Sequence, residues 1–338
     1  MNLSDFDYAL PPDRVALHPA EPRDSARLLV VDRRGGAPVD AQVRDLPGFL
    51  EPGDLLVVND TKVLHARLFG RRASGGRVEL LLIRREGPGT REALLRAHRS
   101  LPPGERLALD GGITATLLER TGPGPVWRVA LECDGDLEAA IERAGHVPLP
   151  PYIRRADLPE DRARYQTVFA ARPGSAAAPT AGLHFTEGLL ARLAERGVGV
   201  ARITLHVGYG TFQPIEVERV EEHRMHAEEF EVTAEAARAI RERKGRCVAV
   251  GTTAARVVES LAASGGIRAA RGRTDLFLYP GRPFRAVEAL LTNFHLPKSS
   301  LLLLVCAFAG RERVLEAYAH AIERGYRFYS YGDASLFL

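Results

Sequence analysis

Five short stretches of this chain concentrate groups that can move protons or hold a polar ligand. They are 59–62 (NDTK), 180–186 (TAGLHFT), 206–211 (HVGYGT), 251–253 (GTT) and 292–298 (TNFHLPK). His184, His206 and His295 each fall in one of them. Imidazole titrates near neutrality, so each could act as a general acid or base, and a hydrogen-bonded structural histidine is the equal alternative. A sixth stretch, 223–228 (HRMHAE), sets two imidazoles near a carboxylate. Proton transfer, a structural role and a metal site all fit it, although its spacing is not HExxH and no cysteine is near. Residues 251–253 stand between an apolar run and a helical pattern. Amides at a helix start favour an anion, and a tight turn with a threonine cap is the other reading. The glycines at 208 and 210 lack the third member of a dinucleotide fingerprint. No Gly-Lys-Ser/Thr loop or GxSxG elbow is present.

These stretches need a scaffold. Four of them end or follow apolar runs, and loops at strand ends are where α/β folds gather binding groups, so a shared cleft is expected. Strands are predicted over 28–32, 54–58, 200–207, 247–250, 275–279, 287–291 and 326–330. Helices are predicted over 187–196 behind a Thr186 cap, from Thr233 to about 245, and over 254–263, 300–309 and 312–324. From about 64 to 133 the texture changes. Short alternating runs at 77–83, 92–97, 106–109, 113–118 and 126–132, parted by Gly and Pro turns, read as a small all-β barrel or sandwich. The PLPP run at 148–151 marks the exit.

Composition sets the outer bounds. The chain has 338 residues, 45% apolar and 26% charged, which is ordinary globular composition. Its length suggests about two domains. Disordered, collagen-like and disulfide-stapled classes are excluded. A net charge of +3 makes any nucleic-acid surface local. Between Arg67 and Arg106 ten arginines stand against four glutamates, and arginine's planar fork suits phosphate. A solvated arginine face is the plainer reading. Cys133, Cys247 and Cys306 form no CxxC pair, and their odd number fits a reducing cytosol. The N-terminus lacks a signal-peptide pattern. The longest apolar run, 301–309, is far short of the roughly 20 residues that span a bilayer and reads as a buried helix. A cytoplasmic protein without a membrane partner is expected.

Taken in order, the blocks FDYALPPDRVA (6–16), NDTKVLHARLFGRR (59–72), PLPPYI (148–153), AAPTAGLHFT (177–186), TLHVGYGTFQPI (204–215), HRMHAE (223–228), AVGTTAARVVES (249–260), LTNFHLPKSSLLLLV (291–305) and YRFYSYGDA (326–334) stand out. Together they resemble the S-adenosylmethionine:tRNA ribosyltransferase-isomerase family. Departures are few: Lys62 where the family often has Arg, His65 where Pro is common, Tyr209 between two glycines, and Ser300 for Thr.

The resemblance implies an α+β multidomain fold, in which an α/β core domain (1–63 and 150–338) is interrupted by an inserted small antiparallel β-barrel (64–149). It implies transfer and isomerisation of the ribosyl part of S-adenosylmethionine onto 7-aminomethyl-7-deazaguanine at the tRNA wobble position, giving epoxyqueuosine, adenine and methionine. S-adenosylmethionine would be a consumed substrate, with no resident cofactor and no metal, and the protein is expected to be a monomer. His184, His206, His226 and His295 would supply proton transfer, with Asp60, Glu228 or Asp333 near the sulfonium. Substrate contacts would come from Asn59, Thr61, Lys62, Thr180, Gly182, Gly208, Gly210, Gly251, Thr252, Thr253, Asn293, Lys298 and Asp333. Arg67, Arg71, Arg72 and Arg77 would meet tRNA phosphates. Without the resemblance, the rivals are a metal-dependent hydrolase built on His223, His226 and Glu228, and a basic RNA-binding module with structural histidines.

Overall fold

The computed structural model describes residues 1–121, 124–208 and 215–338. Gly210 and Tyr209, singled out above, lie outside the described residues. The strands are β1 (Arg27–Val31), β2 (Val39–Gln42), β3 (Leu55–Asn59), β4 (Thr61–Val63), β5 (Arg67–Arg72), β6 (Arg77–Gly87), β7 (Thr90–Ala97), β8 (Arg106–Leu109), β9 (Ile113–Arg120), β10 (Val126–Glu132), β11 (Arg172–Ser175), β12 (Gly199–Leu205), β13 (Glu228–Val232), β14 (Cys247–Val250), β15 (Ala270–Thr274), β16 (Ala289–Asn293) and β17 (Ala334–Phe337). The helices are α1 (Leu137–Ala144), α2 (Asp161–Arg164), α3 (Glu187–Glu195), α4 (Ala234–Glu242), α5 (Thr252–Ala263), α6 (Ser300–Ala309) and α7 (Arg311–Glu323).

Among the described residues, nine strands form one sheet in the order β15-β13-β12-β3-β14-β16-β17-β1-β2. β12, β3, β14 and β16 are parallel neighbours. The polar stretches after them therefore leave one edge of the sheet side by side. The β3 sequence LLVVN explains its central place, since every residue is buried. Leu55 and Val57 pack with Ile240 of α4 and Val258 of α5 on one face, while Leu56 and Val58 meet Leu189 and Leu193 of α3 on the other. A strand covered on both faces reads as an unbroken apolar run. α3 begins as expected, with Thr186 Oγ1 accepting from the Leu189 amide at 3.1 Å. The apolar run 301–309 falls in α6, buried in the core. Among the described residues no helix is long and apolar enough to cross a membrane.

The alternating runs close into a six-stranded antiparallel barrel, β10-β7-β6-β5-β8-β9. Leu68, Leu80, Leu107, Leu117 and Val129 belong to its separate core. The chain enters and leaves along two adjacent connectors. Arg67 and His146 exchange backbone hydrogen bonds of 3.3 and 2.8 Å. A β-carbon on Gly145 would sit 1.7 Å from the His65 carbonyl oxygen, so only glycine lets the connectors pass.

Two predicted strands are absent. Residues 275–279 are a loop, and the pairing with β13 is made by β15 instead. The Arg256 guanidinium binds the Thr274 and Leu276 carbonyls and turns the chain away there. Residues 326–330 are also irregular: Tyr329 has φ 72, a left-handed conformation no strand continues. The strand forms later, as β17 between β16 and β1.

Candidate active site

Asn59, at the end of β3, knits three loops together. Its Oδ1 accepts from the Thr61 and Leu205 amides at 3.1 and 3.0 Å. Its Nδ2 donates to the Leu205 carbonyl at 2.9 Å and to Thr253 Oγ1 at 3.3 Å. Asp60 Oδ1 accepts from Thr204 Oγ1 at 2.6 Å. Just beyond β12, His206 Nδ1 lies 2.8 Å from Thr61 Oγ1. Gly174, at φ 151, lies against the ring, and a β-carbon there would stand 2.7 Å from it. Burial lowers the His206 pKa, opposed by the nearby Glu229 and Asp60 charges. The ring is therefore neutral at pH 7 and equipped to act as a base.

A second cluster surrounds Asn293 at the end of β16. Its Oδ1 accepts from Thr180 Oγ1 at 2.9 Å, while Nδ2 donates to the Tyr329 carbonyl and to His184 Nε2, both at 3.1 Å. Because an amide NH₂ only donates, His184 Nε2 is the acceptor and its proton sits on Nδ1. His295 Nε2 lies 2.8 Å from Thr292 Oγ1, its amide donates to Tyr318 Oη at 3.1 Å, and the Tyr8 hydroxyl donates to its carbonyl. Burial drives the His184 pKa down to about 4, helped by Arg327 and Arg23, and that of His295 down to about 3.

Other expected site residues have defined neighbours. A β-carbon on Gly182 would meet the Thr167 methyl at 2.9 Å, and Gly251, at φ 87, caps α5 ahead of buried Thr252. Lys62 is exposed on β4. Lys298, at φ 55, pairs with Asp7 at 2.9 Å. Asp333 is buried, and its carboxylate accepts from the Arg27 and Arg327 amides at 2.9 and 2.7 Å, which latches β1 to the turn before β17.

A cleft of about 1050 Å³ separates the loop edge of the sheet from the barrel. His206, Gly208, His226 and Glu228 line one wall, and Ile83, Arg91 and Glu142 stand opposite. Two of the four proton-transfer candidates, His206 and His226, thus face open space, whereas His184 and His295 are buried within hydrogen-bond clusters. Glu228 Oε1 accepts from the Gly208 amide at 2.9 Å, and the other oxygen pairs with Arg256, both side chains being 4% exposed. The sequence reading gives Arg256 no role, although two charges, Arg256 and Glu259, inside the otherwise mostly apolar helix 254–263 are a visible signal. An Arg256→Met substitution removes the cation that pairs with the buried Glu228 carboxylate, so a loss of about 3–5 kcal/mol in unfolding free energy is expected by urea denaturation.

The barrel arginines are largely spent on their own domain. Arg67 Nε lies 3.2 Å from Glu79, its diagonal neighbour across β5 and β6, and Arg67 also donates to the Leu149 carbonyl at 2.9 Å. Arg72 pairs with Glu105 at 2.8 Å, Arg71 donates to the Gly75 carbonyl, and Arg77 is exposed. Among the described residues no three His, Cys, Asp or Glu side chains form a metal-holding group. His223 instead packs edge-on against Phe277, centroids 5.1 Å apart.

A family profile described as "Queuosine biosynthesis protein" matches residues 3–337. The S-adenosylmethionine:tRNA ribosyltransferase-isomerase of Anaeromyxobacter dehalogenans (strain 2CP-C) is 56% identical over 345 residues, covering 100% of this chain and 99% of that one. The protein of the same name from Citrifermentans bemidjiense is 53% identical over 339 residues, covering 99% of both chains. The solved S-adenosylmethionine tRNA ribosyltransferase of Thermotoga maritima is 37% identical, with a TM-score of 0.57 over 99% of this chain and 100% of its own.

Proposed function

The chain belongs to the queuosine biosynthesis family, and from that premise we propose that this enzyme moves the ribosyl group of S-adenosylmethionine onto 7-aminomethyl-7-deazaguanine at the tRNA wobble position. The ribose isomerises to the epoxycyclopentane of epoxyqueuosine, and adenine and methionine leave. S-adenosylmethionine is consumed as a substrate, and the reading calls for no resident cofactor or metal. The partner is tRNA, in the cytoplasm.

One observation carries the reading: His206, Gly208, His226 and Glu228 converge on the wall of a cleft of about 1050 Å³. Ligand pockets commonly reach about 300–1,000 Å³, so a nucleoside and an extruded base can share this one. The chemistry needs three proton movements. A base takes a C5′ proton acidified by the sulfonium, an acid assists adenine departure, and the substrate ammonium gives up a proton before its nitrogen attacks. His206, neutral at pH 7, is the base we assign to the first, and His226 is the second carrier on the same wall. Asp60 and Glu229 bear on His206 and favour a cationic sulfonium beside it. The amides at the start of α5 suit the methionyl carboxylate.

The test is to incubate the protein with S-adenosylmethionine and an anticodon stem–loop carrying the 7-deazaguanine. Free adenine and a mass gain on the RNA are expected, with or without chelator. RNA binding without adenine release would leave only an RNA-binding module, and loss of turnover on chelation would point to metal chemistry.

A further inference from the structure

Outside the cleft mouth, two segments bring a row of rings together. His223 packs against Phe277, Phe277 lies 5.0 Å from Tyr279, and the Arg282 guanidinium sits 5.3 Å from the Tyr279 centroid. The three rings are partly exposed and Arg282 is exposed. Between 268 and 285 five arginines stand against a single acid, Asp275. Among the described residues none of the five is held in an ion pair, unlike the barrel arginines Arg67 and Arg72. The row is fixed to the cleft. Arg273 and His226 line the cleft itself, and Arg256 binds the Thr274 and Leu276 carbonyls while pairing with Glu228 on the cleft wall.

Resting on the tRNA reading above, we propose that the His223–Phe277–Tyr279–Arg282 row is a stacking platform for the unpaired bases of an RNA loop, beside the nucleotide that enters the cleft. Every base has a π face, and aromatic or guanidinium planes hold single-stranded RNA by stacking without needing its sequence. Drawing one base out of a loop unstacks its neighbours, and the row gives those neighbours new surfaces. The arginines beside it, which hold no ion pair among the described residues, meet the flanking phosphates.

Phe277→Leu and Tyr279→Leu keep apolar bulk against the core but remove the ring faces. Binding is measured with the 7-deazaguanine stem–loop, with a duplex RNA of equal length, and with S-adenosylmethionine. Each variant is expected to bind the stem–loop about ten-fold more weakly, at low and high salt alike, with duplex and S-adenosylmethionine binding unchanged. Arg282→Gln is expected instead to lower the salt slope by about one. Wild-type stem–loop affinity in both leucine variants overturns the platform, as does an equal loss for all three ligands, which marks the rings as packing only. A wild-type protein that neither binds the stem–loop nor releases adenine overturns the parent reading as well.

Discussion

His206→Ala is expected to slow adenine release by about 10²- to 10⁴-fold, the usual worth of a positioned general base. The ring is held from two sides, by Thr61 Oγ1 at Nδ1 and by Gly174 against its face, and it lines the cleft. It stands where β12 ends, supported by the Asn59 network, so its removal leaves the strands intact. Thermal melting and S-adenosylmethionine affinity should change little while turnover collapses. The pH profile adds a second signature. Burial lowers the pKa of His206, so the base stays unprotonated below the ordinary 6.5, and the acidic limb of turnover in the wild-type enzyme should fall below that pH. Turnover within about threefold of wild type in the alanine variant would remove His206 from the chemistry, since a base contributes far more than that. His184→Ala and His295→Ala test the two buried histidines. Each loses a buried hydrogen-bonding group, and each should show its effect first in stability.

The parallel strands at the centre of the sheet were legible because their physics is local. β3, β14 and β16 are buried along their whole length and begin as apolar runs, which give way to Asn59 in β3, to Thr292 and Asn293 in β16 and to Gly251 after β14, so both the strand and the loop after it can be seen in the sequence. The barrel was legible through its alternation. β15 and β17 were not, because distant residues decide them. Arg256 on α5 ends the pairing at Thr274, and the Asp333 carboxylate latches the Arg27 and Arg327 amides before β17 can start. The same limit applies to the histidines. Four looked equivalent in motif loops, and only the folded chain separates two on the cleft wall from two sealed beside Asn293 and Thr292. It also applies to the arginines of the barrel: a count of charges cannot register that Arg67 and Glu79 become diagonal neighbours across two strands.

The two sealed histidines should make the protein acid-sensitive well above the range where carboxylates titrate. In the folded chain the His184 pKa falls from 6.5 to about 4 and that of His295 from 6.5 to about 3, each chiefly through burial. Above pH 6.5 both rings are neutral in the folded and unfolded chains, and their stabilising effect is fully present. As the pH drops through 6.5 the unfolded chain takes up protons that the folded one refuses until about 4 and 3, so stability falls with acidity across that window. At about 1.4 kcal/mol per pH unit, each histidine costs about 2 kcal/mol between pH 7.5 and 5, and the pair about 4 kcal/mol. The carboxylates with lowered pKa, such as Asp54 and Asp161, do not compete there, because their contribution is lost only as the pH falls below about 3.8. Urea denaturation at the two pH values would measure a loss of at least that size, since burial also lowers the pKa of His65, His206 and His223, and His295→Gln isolates the share of one sealed ring. The glutamine variant forfeits the Thr292 contact and some packing, so it starts less stable at pH 7.5. It carries no ionisable ring, so acidification should cost it about 2 kcal/mol less than wild type. Equal losses in the two proteins would mean that His295 takes up its proton as readily folded as unfolded, which a fully sealed imidazole cannot do.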